Sequence, residues 1–255
     1  MIKAEGISMR FGGLSALSKV SFEIREKELF SIIGPNGSGK STMFNVITGV
    51  YTPTEGKVYL RGKDVTGLPP HKLNHLGMGR TFQNPRLFSD MTVLENVMVP
   101  LLARDKHYLA GELLSERSRR KNMERLRPAA MNALNVAGLK GKEDNPAGML
   151  TYGDQKRLEI ARCYAINPDV ILLDEPAAGL NTDERDGINN LIRDINSRGV
   201  TVVLIEHDMK MVMGISNRIM VLNHGSAIAF GTPAEVSNDP AVIEAYLGVK
   251  EMDDE

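Results

Sequence analysis

The chain has 255 residues, 42% hydrophobic and 25% charged, with a formal net charge of −1. That is enough for one large domain with a sizeable core, and the balanced charge gives no global basic field for nucleic acid. A single cysteine, Cys163, excludes an internal disulfide; with no bilayer-length apolar run and no signal-peptide pattern, a cytosolic chain is expected unless another subunit holds it at a membrane.

In chain order, Ile2 to Phe11 and Ser18 to Ile24 predict short strands around a Gly12-Gly13 turn. Phe11 suits a core aromatic or a platform for a flat ring, and composition alone favours the core. Leu29 to Ile33 predicts a strand, and Gly34-Pro35-Asn36-Gly37-Ser38-Gly39-Lys40-Ser41-Thr42 then leads into a helix starting near Lys40. Glycines at 34, 37 and 39 let successive N–H groups point into one concavity. Backed by the positive end of a helix dipole, such a nest holds a polyphosphate. Lys40 adds a point charge for the outer phosphates, and the Ser41 hydroxyl suits a Mg²⁺ position. The bland alternative is a flexible Gly/Ser loop; the strand before and the helix after weigh against it. Thr52 to Gly56 reads as a turn, Lys57 to Leu60 as a strand at the sheet edge, and Pro69-Pro70 as the opening of a short helix ending near Gly77. Gly79 to Asn84 reads as a short strand leading into polar residues. Its Gln83 has an amide suited to a metal or a phosphate, or is simply solvated.

From Met91 to about Asn167 the texture is helical, with Val93, Leu94, Val97, Leu101 and Leu102 at helical spacing. Pro128 marks a break or the first turn of a further helix, and Gly138 a helix end. The arginine-rich run Glu116 to Arg127 reads as a solvated helix face, with an acidic partner or anionic lipid as the minority reading. Residues 85–166 therefore look like a helical subdomain inserted into an α/β core of 1–84 and 167–255, within a single domain spanning 1–255. Thr151 and Asp154 suit the start of an amphipathic helix, which is either an ordinary cap or a second anion site.

Val170-Ile171-Leu172-Leu173-Asp174-Glu175-Pro176 reads as a strand buried on both faces that delivers two carboxylates at the edge where open α/β sheets bind ligands. Alternation along a strand sends Asp174 and Glu175 opposite ways, one toward Mg²⁺ and the other toward a water lined up on a terminal phosphate. Gly199 to Asp208 repeats the pattern, and its His207 suits donation to a γ-phosphate oxygen. Ile219 to Asn223 and Ala227 to Gly231 predict a hairpin around Gly225, with a C-terminal helix beyond.

In order and spacing, these motifs together resemble an ATP-binding cassette (ABC) ATPase across nearly the whole chain. The resemblance implies an α/β fold: a P-loop core with a mixed sheet, an N-terminal antiparallel β subdomain and an inserted helical subdomain. It makes Phe11 the adenine-stacking aromatic, Gly34 to Thr42 the phosphate loop and Gln83 the glutamine loop. Thr151, Tyr152, Gly153 and Asp154 fall in the signature acting in trans. Asp174 and Glu175 become the acidic pair, and His207 the switch histidine. Lys40, Glu175 and His207 are then the catalytic expectation, and Ser41, Gln83 and Asp174 the Mg²⁺ expectation. Within the family, GRTFQNPRLFSDMTVLENV (79–97), DEPAAGLN (174–181) and IEHDMKMVMGISNRIMVLN (205–223) resemble an ATP-binding subunit of branched-chain amino acid importers. That likeness implies MgATP sandwiched with a second ATP-binding subunit, two membrane permease subunits and an external substrate-binding protein, at the cytoplasmic face of the membrane. A soluble ABC ATPase, or an importer of urea or short amides, is the alternative. Three departures stand out: the signature reads LTYGD where the broad family has LSGGQ, its Asp154 sets a carboxylate near a triphosphate unless it complements the helix dipole, and Asn181 stands where many members have aspartate.

Overall fold

The computed structural model describes residues 1–81, 86–105 and 116–247. Strands β1 (Ile2–Phe11), β2 (Leu14–Ile24), β4 (Glu55–Leu60) and β5 (Lys63–Asp64) form an antiparallel sheet in the order β2-β1-β4-β5. Strand β4 therefore lies inside this sheet, and the two-residue β5 takes the edge. A second sheet has the order β10-β9-β3-β8-β7-β6, from β3 (Leu29–Ile33), β6 (Met78–Arg80), β7 (Val170–Asp174), β8 (Thr201–Ile205), β9 (Arg218–Asn223) and β10 (Ser226–Gly231). Its strands run parallel except for the β9–β10 hairpin, so the sheet is mixed.

Alternation along the buried strands feeds two cores. Ile171, Leu173, Val202 and Leu204 face one, which includes Val93, Val97, Leu134, Leu158 and Ile160 from the helical block. Val170, Leu172, Val203 and Ile205 face the other, with Phe30, Phe44 and Ile47 beneath the antiparallel sheet. Each such burial stabilises by about 1.5–3 kcal/mol before chain entropy is subtracted. The phosphate-loop helix α1 (Lys40–Ile47) is thus anchored by Met43, Phe44, Val46 and Ile47.

The remaining helices are α2 (Pro70–His75), α3 (Val93–Arg104), α4 (Glu116–Val136), α5 (Tyr152–Ala165), α6 (Thr182–Ser197), α7 (Met209–Ile215), α8 (Pro233–Ser237) and α9 (Pro240–Leu247). Among these, α3, α4 and α5 pack on one another. Pro128 neither breaks nor starts a helix but lies inside α4. It sits on the exposed face, where the carbonyl freed by its missing N–H is open to solvent rather than sealed in the core. Gly138, at φ 73°, follows the end of α4 as expected. The C-terminal stretch is two short helices, because Thr232 caps α8 through a reciprocal box with Glu235 and Pro240 begins a new turn. No helix among the described residues is long and apolar enough to cross a membrane.

Candidate functional site

The loop after β3 is shaped by two glycines that admit no side chain. A Cβ at Gly34 (φ 150°) would lie 2.0 Å from the Leu222 carbonyl oxygen, and one at Gly39 (φ 103°) 2.7 Å from the Ala16 carbonyl oxygen. Gly39 caps α1 without a side-chain hydrogen bond, and no acidic residue lies in the first turn. The helix therefore presents bare N–H groups and its positive end to the loop, which favours an anion. Ser38 Oγ is buried and has no hydrogen-bond partner among the described residues. An orphaned hydroxyl beside bare amides fits a phosphate ligand. Lys40 is 7% exposed, and its ammonium donates to the Gly34 and Pro35 carbonyl oxygens at 2.7 and 2.8 Å. Burial lowers its proton affinity, while the Glu175 carboxylate opposes that shift.

Phe11, which ends β1, is 43% exposed and lines the same cleft as Gly37 to Thr42. Its ring stands edge-on to Tyr51 at 5.4 Å, leaving it outside both buried cores. Composition had favoured the core, and the structure places this ring at the surface instead. Leu14, Ser15 and Ala16 of β2 and the His224-Gly225 turn also line the cleft. Sequence reasoning missed them. Only the glycine at 225 signalled the turn: its N–H donates to the Ser38 carbonyl at 3.0 Å, and its carbonyl accepts from Ser18 N–H at 2.8 Å.

Asp174 ends β7, but Glu175 has already left the strand at φ 46°. Strand alternation therefore does not govern the pair; the left-handed turn at Glu175 separates them. Asp174 faces Arg80 of β6 at 3.6 Å, and burial raises its proton affinity while Arg80 resists the rise. Glu175 faces His207, with Nδ1 3.9 Å from its carboxylate oxygen. The N–H of Glu175 donates to the Ile205 carbonyl at 3.0 Å, tying the end of β7 to β8. His207 is largely exposed, and the following Asp208 caps α7 and pairs with Arg185 at 2.6 Å. Gln83 lies outside the described residues.

Thr151 caps α5, its hydroxyl accepting from the Asp154 N–H at 3.2 Å. Tyr152 is exposed, while Gly153 is buried where a Cβ would meet Glu184 at 2.8 Å. The glycine thus lets α5 approach α6. Asp154 lies in the first turn of α5, where a carboxylate complements the helix dipole, and it is paired with Lys142. Its charge is not left bare. Asn181 serves as the cap of α6, in a reciprocal box with Glu184. Residues Thr151 to Asp154 do not line the cleft of Phe11 and Lys40.

Comparisons with known proteins agree with this geometry. The family model described as ABC transporter matches residues 17–178, and one described as branched-chain amino acid ATP-binding cassette transporter matches residues 228–251. The chain is 47% identical over 249 residues to the high-affinity branched-chain amino acid transport ATP-binding protein LivG of Salmonella typhimurium, covering 97% of this chain and 98% of that protein. Identity to BraF, the protein of the same description from Pseudomonas aeruginosa, is also 47%, over 253 residues and the same shares of the two chains. Among solved structures, the ADP conformation of MJ1267, an ATP-binding cassette of an ABC transporter, superposes with a TM-score of 0.85 at 35% identity, covering 97% of this chain and 98% of that one. The dimeric post-hydrolysis state of the cassette MJ0796 with ADP and Pi gives 0.76 at 31%, covering 91% and 99%.

Proposed function

This chain belongs to the ABC transporter family, and on that premise we propose that it is the ATP-hydrolysing subunit of an importer for branched-chain amino acids. The observation that carries the ATPase part is the cradle of Gly34 to Thr42, with the buried, orphaned Ser38 hydroxyl and Lys40 beside bare helix N–H groups. The cargo is inferred from the near-full-length likeness to LivG and BraF.

In this reading Phe11 stacks on adenine and Gly34 to Thr42 hold the phosphates. Ser41, Asp174 and Gln83 would hold Mg²⁺, which would supply neutralising charge to the phosphates. A carboxylate and a hydroxyl are oxygen donors of the kind that ion takes, and it usually shares its ligands with substrate oxygens. Glu175 accepts the proton of the attacking water. Lys40 and His207 stabilise charge on the transferring phosphoryl group, and the 3.9 Å approach of His207 to Glu175 sets base and phosphate donor side by side. Thr151 to Asp154 engage the nucleotide of a second ATP-binding subunit, a reading supported by their lying outside the cleft of Phe11 and Lys40. Closure of that sandwich moves residues 85–166, acting as a helical subdomain, against the core and drives two membrane permease subunits, which hold the chain at the cytoplasmic face. An external binding protein delivers the amino acid.

Reconstituting the chain with the second ATP-binding subunit, the two permeases and the binding protein in proteoliposomes tests the whole reading. ATP-dependent leucine accumulation is expected. ATP turnover without uptake of any branched-chain amino acid would remove the cargo, and no turnover would remove the function.

A further inference from the structure

Two loops that carry the proposed hydrolytic residues meet on one buried carboxylate. Glu206 follows β8 and is 1% exposed. Its Oε1 accepts the Ala177 N–H at 3.0 Å, and its Oε2 accepts the His207 N–H at 3.2 Å. The imidazole Nδ1 of His207 is 3.7 Å from the same Oε2. Ala177 lies two residues beyond Glu175, so this side chain bridges the loop after β7 to the loop after β8. Each oxygen receives a main-chain donor, which requires a group that accepts at both ends. An ionised carboxylate does so; glutamine of the same size has one acceptor and one donor, and its NH₂ would face an N–H. Leaving such a donor unmade in a buried site is costly.

A second buried charge lies on α5. Lys156 of α5 is also 1% exposed, and its Nζ stands 5.7 Å from the Tyr152 ring. Burial lowers its proton affinity, and the carboxylates of Glu159 and Glu206, then those of Asp174 and Glu175, oppose that shift.

We propose that Glu206 is a positioning residue for ATP hydrolysis, holding the Glu175 loop and His207 in register. Both Glu206 oxygens are engaged by main chain, so it acts through its neighbours and not on the nucleotide. The inference rests on the reading of this chain as an ATPase.

The test uses the full chain assembled with its membrane partners, with nucleotide sites titrated in each sample so that kcat is expressed per competent site. For Glu206→Gln, kcat should fall about thirtyfold while KM for ATP stays within about twofold, because a misplacement near 1 Å has costs of that order. Glu206→Asp keeps two acceptors on a shorter stem and should lose only about three- to tenfold. A per-site kcat for Glu206→Gln within twofold of wild type overturns the proposal. So does a loss confined to KM and to the number of competent sites, which is what a purely structural role produces. Should Glu206→Gln yield no competent sites, Glu206→Asp decides: the reduced kcat at unchanged KM supports the proposal, and wild-type kcat overturns it. A wild-type assembly without turnover removes the underlying ATPase reading, a result distinct from a defect of the variants.

Discussion

Arg80 and Asp174 form an ion pair across neighbouring parallel strands, 3.6 Å apart with side chains only 14% and 13% exposed. The guanidinium also donates to Asn45 Oδ1 at 2.8 Å and to the Thr48 hydroxyl, so the edge strand β6 fixes both the end of α1 and the first acid of the pair. Its planar fork suits this shared duty better than a lysine would. Breaking a buried pair strands the remaining charge, at about 3–5 kcal/mol. Arg80→Met should therefore lower the urea unfolding free energy by about 3 kcal/mol. Arg198→Met, which removes an exposed i,i+4 pair with Asp194, should cost under about 1 kcal/mol. Equal costs for the two would contradict the assignment.

Glu175→Gln keeps the size and the backbone contact of Glu175 but removes the base. ATP affinity should be retained while turnover falls about a hundredfold or more, the scale of losing general-base catalysis. Near-normal turnover of this variant in the assembled transporter would take Glu175 out of that role.

The Asp154–Lys142 pair accounts for a carboxylate within the signature. Lys142→Met should raise the ATP concentration needed for half-maximal turnover about five- to tenfold, by exposing the trans phosphates to an unpaired Asp154. Asp154→Gln in the same chain should restore it, giving a coupling of about 1 kcal/mol. Independent, additive effects in this double-mutant cycle would show that Lys142 does not act through Asp154.

Cys163 of α5 donates its Sγ–H to the Arg80 carbonyl at 3.0 Å, and burial pushes its thiol up to about 12. The thiolate is the reactive form, so alkylation by iodoacetamide at pH 8 should be on the order of a thousandfold slower in the native chain than in urea. Comparable rates would show that α5 does not hold the thiol against β6.

The phosphate loop and the strand that ends at Asp174 were legible because each couples a composition signal to a fixed geometry: glycines that admit no Cβ, and an unbroken apolar run. Phe11 was not legible from composition, since an aromatic beside a turn reads as core until the strand order shows which end of β1 is open. The opposed-face argument for Asp174 and Glu175 failed at one backbone angle, because a positive φ at a glutamate has no sequence signature. Glu206 and Lys156 were invisible for a different reason. A charged residue is expected at the surface, and only the convergence of three elements distant in sequence shows that both are buried. Pro128 misled because its cost depends on which face of α4 it occupies.

If MgATP is held in the loop around Lys40, isothermal titration of the full chain with MgATP will detect it. Wild type should bind one nucleotide per chain, and Lys40→Ala should weaken that binding at least tenfold without changing the melting temperature of the nucleotide-free chain by more than about 3 °C. No heat of binding in wild type, or unchanged affinity in Lys40→Ala, would contradict it.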